Sequence, residues 1–287
     1  MKIIFAGTPK FASEHLSILL GGEHEIVAVL TQPDRKSGRG KKISFSEVKE
    51  IALENDLKVL QPASLKDVEI QKSINNLKPD IILVVAYGLL IPKTVLDIPK
   101  LGCINIHASL LPRWRGASPI ESCIAAGDSE SGITMMKMSE GLDEGPILKK
   151  FVCHLDEKET LETLEKKFIG MSSENLLQFL KDYENKKISE VVQPTTGSTY
   201  ANKIDNTFKR INWAGQTAGE IENKIRALNP KYGAFTYLGE ERIKLFSASP
   251  KKNNSSVEPG LIVINKEGSL EVGCKDSGLL EIETLQM

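Results

Sequence analysis

The sequence has no long apolar run, and nothing in it approaches the ~20 consecutive apolar residues that a membrane-spanning helix needs. Cysteine is scarce: Cys103, Cys123, Cys153 and Cys274 lie far apart, with no C-x-x-C pair. That spacing argues against a disulfide frame or a metal ribbon and suits reduced thiols of a cytosolic protein. The four histidines include no H-x-x-x-H or H-E-x-x-H, so no metal site is legible. Excess charge is missing too; a net charge of −1 leaves any nucleic-acid contact to local patches. The first strand-to-helix turn holds Gly7 alone and not G-x-G-x-x-G, so the dinucleotide fingerprint is absent. Met1–Gly7 enters a strand pattern directly, without the apolar run and cleavage site of a signal peptide, and a cytoplasmic location is expected.

What is present reads as α/β. Lys2–Ala6, Glu25–Leu30 and Asp80–Val85 are short, mostly apolar runs, and a helical pattern carrying Phe11, His15, Leu16 and Leu19 separates the first two. Strand, helix, strand is the βαβ unit of a parallel sheet. Further strands are expected at Val59–Gln61 and Ile133–Met138. Ser44-x-x-Glu47 and Ser64-x-x-Asp67 read as helix caps, and Thr160–Tyr183 as a long amphipathic helix. The fold class is a Rossmann-like, mostly parallel sheet domain followed by a smaller OB-like β-barrel domain. The boundaries are 1–189 for the first domain, 190–205 for a linker rich in Pro, Thr and Gly, and 206–287 for the second. Five short strands are expected there, at Ala234–Leu238, Arg242–Ala248, Gly260–Asn265, Ser269–Cys274 and Leu279–Thr284.

The stretch Gly102–Ile120 organises the site. Asn105 and His107 stand two apart in a strand, so a carboxamide and an imidazole share one face, with Ile104 and Ile106 turned to a core. Leu110-Leu111-Pro112 ends the strand, and Arg113-Trp114-Arg115-Gly116 follows. That run could serve phosphate or base contact, or pack the loop on the domain body. Ala86-Tyr87-Gly88 forms a second loop at the same sheet edge. Asp143, between Gly141 and Gly145, is either an ordinary turn aspartate or the partner that orients the imidazole; spacing alone does not decide. The loop after Asp34 is basic: Arg35, Lys36, Arg39, Lys41, Lys42 and Lys49 stand against Asp34 and Glu47, a local +4. It is either a solvated surface loop or a finger that meets phosphates. A second excess of +5 runs from Lys203 to Lys252, so nucleic acid is a candidate partner.

Phe5–Pro9, Thr31–Lys42, Val84–Gly88, Asn105–Pro119 and Gly141-Leu142-Asp143 together resemble the folate-dependent formyltransferases. The basic loop and the C-terminal strands resemble the branch acting on initiator methionyl-tRNA. The resemblance implies 10-formyltetrahydrofolate as formyl donor, methionyl-tRNA as acceptor, no metal, and a monomeric enzyme. It assigns Asn105, His107 and Asp143 as catalytic residues. Ser109, Leu110, Leu111 and Pro112 would bind the folate with help from Ala86, Tyr87 and Gly88, and Arg35, Lys36, Arg39, Lys41 and Lys42 would meet the tRNA. Ala108, Ser118 and Glu144 stand where the family often has glycine, alanine and threonine. Two rival expectations are a formyltransferase for a small amine (glycinamide ribonucleotide or an amino sugar) and a non-catalytic RNA-binding protein on the same scaffold.

Overall fold

The computed structural model describes residues 1–37, 42–251 and 257–287. It divides into two compact units, 1–115 with 132–152 and 167–200, and 116–131 with 153–166 and 201–287.

The first unit is built on a seven-stranded sheet. Its order is Ile147–His154, Glu130–Lys137, Cys103–His107, Ile81–Val85, Lys2–Gly7, Glu25–Leu30, Val59–Leu60. Ile81–Val85 is buried at every residue and Lys2–Gly7 at all but the first, as a strand covered on both faces requires. The strands from Cys103–His107 to Val59–Leu60 pair in parallel. From Lys2–Gly7 the chain builds outward on one side through Glu25–Leu30 and Val59–Leu60, then resumes on the other with Ile81–Val85. The carboxyl ends of Lys2–Gly7 and Ile81–Val85 therefore form the switch point at which open α/β sheets hold ligands.

Glu130–Lys137 pairs antiparallel with Cys103–His107 and sets Asn105 opposite Met136 and His107 opposite Thr134. The edge strand Ile147–His154 was not expected from sequence, because Lys149-Lys150 interrupts its alternation with two consecutive exposed residues. On one face of the sheet Leu30, Ile82, Val84 and Tyr87 pack with Leu65, Ile74 and Val95 from the covering segments.

Two expected caps move by a few residues. Ser46, not Ser44, caps helix Glu47–Glu54 by accepting the Lys49 N–H at 3.1 Å; Ser44 belongs to a short strand. Asp67 caps Val68–Asn76 by accepting the Glu69 and Ile70 N–H groups, while the Ser64 hydroxyl accepts from Lys66 in the turn before it. In both cases the cap is the last residue in extended conformation, which is where a side-chain oxygen reaches the free amides. The basic loop begins and ends as a two-stranded ribbon, Arg35–Ser37 with Lys42–Ser44. Arg39 and Lys41 lie outside the described residues, as do the side chains of Lys36 and Lys42.

In the second unit the five expected strands are present as one antiparallel sheet: Ala234–Leu238, Glu241–Lys251, Leu279–Gln286, Leu270–Gly273 and Ile262–Ile264, in that order. It curls as a half-barrel whose edges are the first and last of these. Helix Ala218–Leu228 opens with a full capping box between Thr217 and Glu220. Its apolar residues Ile221, Ile225 and Leu228 share one buried core with Ile243, Leu245 and Leu280. Trp213 packs against this core, its Nε1–H donating to Thr236 Oγ1 at 2.9 Å. Among the described residues no helix is long and apolar enough to cross a membrane.

Candidate active site

Strand Cys103–His107 alternates as its sequence requires, with Ile104 and Ile106 inside and Asn105 and His107 on the other face. Asp143 arrives from the loop between Glu130–Lys137 and Ile147–His154, the strands that extend the sheet beside it. Its carboxylate meets both strand residues. Asn105 Nδ2 donates to Oδ1 at 3.3 Å, and His107 Nδ1 lies 3.6 Å from Oδ2. The side chains of His107 and Asp143 are 5% and 12% exposed, so the pair is shielded from water on most sides.

The second ring nitrogen fixes the tautomer. His107 Nε2 lies 2.8 Å from the carbonyl oxygen of Trp114, which can only accept, so Nε2 carries a hydrogen. Nδ1 is thus the nitrogen that can take up or release a proton, and it faces Asp143. Asn105 spends one of its two amide hydrogens on Asp143.

The loop after His107 is held from inside. Ser109 is fully buried and donates to the Arg113 carbonyl at 2.6 Å. Thr134 donates to the Ser109 carbonyl at 2.6 Å and accepts the Leu111 N–H at 3.2 Å. Leu111 has no exposed surface, whereas Leu110 and Pro112 are half-buried. In the Ala86–Gly88 loop Tyr87 points into the core and Ala86 and Gly88 are exposed. The Tyr87 carbonyl accepts from Thr8 Oγ1 at 2.9 Å and from Gln32 Nε2 at 3.0 Å. Gly88 has φ +78°, and a Cβ there would stand 2.3 Å from Gln32 Nε2, so this position requires glycine.

The basic ribbon is rooted at the same loop. Arg35 Nη2 donates to Gln32 Oε1 at 2.7 Å. Asp34 accepts from Gln61 at 2.7 Å and from Lys49 at 2.6 Å, and these bonds hold its carboxyl below the usual range. Of Arg113, Trp114 and Arg115, the last is 7% exposed and serves the loop's packing. The Arg113 guanidinium stacks 4.3 Å from the Trp114 ring.

The structure brings Asn105, His107 and Asp143 together and sets Ser109–Pro112 beside them. Sequence reading missed Thr134, Gln193 and the Trp114 carbonyl. A threonine in a strand, a glutamine in a Pro/Thr-rich segment and a main-chain oxygen carry no signal until their partners are known. Among the described residues no group of three or more His, Cys, Asp and Glu side chains could hold a metal.

A mostly parallel sheet with a topological switch point, and an Asn/His/Asp cluster beside it, suit a group-transfer enzyme, and the family matches make its class that of the formyltransferases. Residues 1–180 match the family model described as formyl transferase, and residues 203–287 match that of the formyl transferase C-terminal domain. The methionyl-tRNA formyltransferase of Marinobacter nauticus is 44% identical over all 287 residues, which cover 92% of its length. That of Pseudomonas entomophila is 45% identical over the same residues and is 91% covered. The chain belongs to the methionyl-tRNA formyltransferase family. Among solved structures, the N-formyltransferase of Helicobacter canadensis in complex with folinic acid and dTDP-3-aminofucose shares the fold, with a TM-score of 0.72 at 19% identity. That match covers 99% of both chains.

Proposed function

We propose that this protein transfers the formyl group of 10-formyltetrahydrofolate to the amino group of methionine on initiator methionyl-tRNA. The observation that carries the reading is the carboxylate of Asp143 meeting Asn105 and His107 at the ligand edge of the sheet. The neutral amine attacks the formyl carbon, a C–N bond forms, and the carbonyl oxygen becomes an oxyanion. The free amide hydrogen of Asn105 is placed to stabilise it, a type of contact whose loss costs ~10²–10³ in rate. Collapse breaks the bond to N10 of the folate. The proton lost by the attacking nitrogen must reach N10, and in this reading His107 Nδ1, the exchangeable position, carries it. Asp143 holds the ring and the amide in register.

The folate lies in this reading along the exposed backbone of Ala86 and Gly88 and over Leu110 and Pro112. Ser109, Leu111 and Tyr87, whose side chains are turned inward, act there by shaping the backbone. Arg35, Lys36, Arg39, Lys41 and Lys42 meet tRNA phosphates, within a catalytic domain of 1–189. Residues 206–287 supply the remaining RNA contact. A reaction on charged tRNA belongs to the cytoplasm.

The test offers one formyl donor and several acceptors: methionyl-tRNA, free methionine, glycinamide ribonucleotide and a dTDP-amino sugar. The expected result is formylation of methionyl-tRNA alone. Preferential formylation of a small amine would overturn the acceptor, and no formylation of any acceptor would overturn the enzyme.

A further inference from the structure

After helix Leu161–Glu184 the chain enters a stretch rich in Pro, Thr and Gly that composition marks as a linker. Its first part does more than connect. The Val191 and Ile147 backbones exchange both hydrogen bonds at 2.8 Å. Gln193 is 7% exposed, and every hydrogen-bonding position of its amide is used. Its Nε2 donates to the main-chain carbonyls of Asp143 and Gly145, both at 2.8 Å. Its Oε1 accepts from Nε and Nη2 of Arg115 at 3.2 and 2.8 Å. Further along, Thr199 Oγ1 accepts the Trp114 N–H at 2.9 Å, its carbonyl accepts the Arg115 N–H at 2.9 Å, and its own N–H donates to the Pro112 carbonyl at 3.3 Å.

Each end of this stretch thus grips a residue that touches His107. Asp143 (φ +51°) faces Nδ1, and Trp114 (φ +61°) offers its carbonyl to Nε2. Both backbones are left-handed, a conformation non-glycine residues keep only when their surroundings hold it. Gln193 holds the first from its carbonyl, and Thr199 holds the second from its amide.

We propose that Gln193 and Thr199 are positioning residues for the transfer reaction, and that the stretch between them is a strap setting both edges of the His107 ring. This rests on the reading of His107 and Asp143 as reacting groups. The side-chain chemistry is specific. At position 193 two donors must meet two carbonyls while an oxygen meets a guanidinium, and only a carboxamide does both; glutamate would oppose its charge to the carbonyls of Asp143 and Gly145. At position 199 an acceptor is needed that serine supplies and valine lacks.

The experiment measures formylation by the full chain carrying Gln193→Met, Thr199→Val or Thr199→Ser, with kcat expressed per folate-binding molecule and melting followed alongside. A displacement of a reacting group by about 1 Å can cost ~10² in rate. Gln193→Met and Thr199→Val are expected to lower kcat at least about tenfold while KM for both substrates stays within about twofold. Thr199→Ser is expected to recover turnover to within about threefold of the wild type. Wild-type kcat in Thr199→Val, or a loss that serine does not rescue, would overturn the strap. His107→Ala and Asp143→Ala run as controls: if they turn over normally the reading of the site fails, and if they are inactive while Thr199→Val is normal the strap alone fails.

Discussion

The amide of Asn105 and the carboxylate of Asp143 meet at 3.3 Å although 38 positions separate them in the chain. Asn105 comes from a strand interior, and Asp143 from a turn whose backbone takes the left-handed conformation. The contact fixes which amide hydrogen of Asn105 is spent, and in the proposed mechanism the other serves the oxyanion. It also turns Oδ2 of Asp143 toward His107.

From this pairing, Asn105→Ala should cost ~10²–10³ in kcat, the usual loss when one oxyanion donor is removed. Folate affinity should change little, because the donor acts on charge that develops only in the transition state. Stopped-flow or quench measurement of formyl transfer, beside equilibrium folate binding, separates the two effects. An equal loss in both would make Asn105 a binding residue.

Much of this is legible in the sequence. The parallel strands showed because both their faces are buried, and the Asn105/His107 face followed from a period of two. The edge strand Ile147–His154 does not show, since Lys149 and Lys150 are exposed on opposite faces and break the alternation. Whether Asp143 reached His107 was undecided by spacing because the answer depends on an antiparallel neighbour, Glu130–Lys137, in an otherwise parallel neighbourhood. Composition marks Gln193 and Thr199 as linker because it reports solvation and not hydrogen bonding. A fragment ending near Ser189 removes both, so its loss of activity would not by itself report on RNA binding.

Among the described residues the hydroxyl of Tyr87 is buried without a hydrogen-bond partner, and burial pushes its pKa far up. An unsatisfied buried hydroxyl costs ~1–3 kcal/mol. Tyr87→Phe is therefore expected to leave folate binding intact and to raise stability by about 1 kcal/mol, read as a higher denaturant midpoint with an unchanged slope. A lower midpoint would mean that the hydroxyl is satisfied.

His15 gives a pH dependence of stability. Its Nδ1–H donates to the Phe11 carbonyl at 2.7 Å, its Nε2 accepts from Ser172 at 2.8 Å, and burial lowers its pKa from 6.5 to about 4. The folded chain resists protonation while the unfolded chain accepts it. The contribution is therefore full above the unfolded value and is lost as pH falls toward the folded one. Between pH 7 and pH 5 the wild type should lose about 2 kcal/mol through this group. His15→Gln, whatever its own stability, should show a drop smaller by that amount in urea titrations at the two pH values. Parallel curves for the two proteins would contradict the assignment.

In the basic loop, Arg39→Lys keeps the charge and loses the planar fork that binds phosphate at two points or stacks on a base. It should lower kcat/KM for methionyl-tRNA clearly, whereas Lys41→Ala and Lys42→Ala should be milder and should flatten the salt dependence. Folate affinity should not move in any of them. A drop in folate affinity would place the loop in the donor site.

The role of His107 is tested most directly by the single-turnover rate of formyl transfer to methionyl-tRNA by His107→Ala with both substrates saturating. His107 is fixed by Trp114 on one side and faces Asp143 on the other, and no other described titratable group is placed by the same contacts. The rate is expected to fall by at least ~10², the contribution of a positioned acid–base group, with folate still bound and the fold intact. A rate within a few-fold of the wild type would contradict that role.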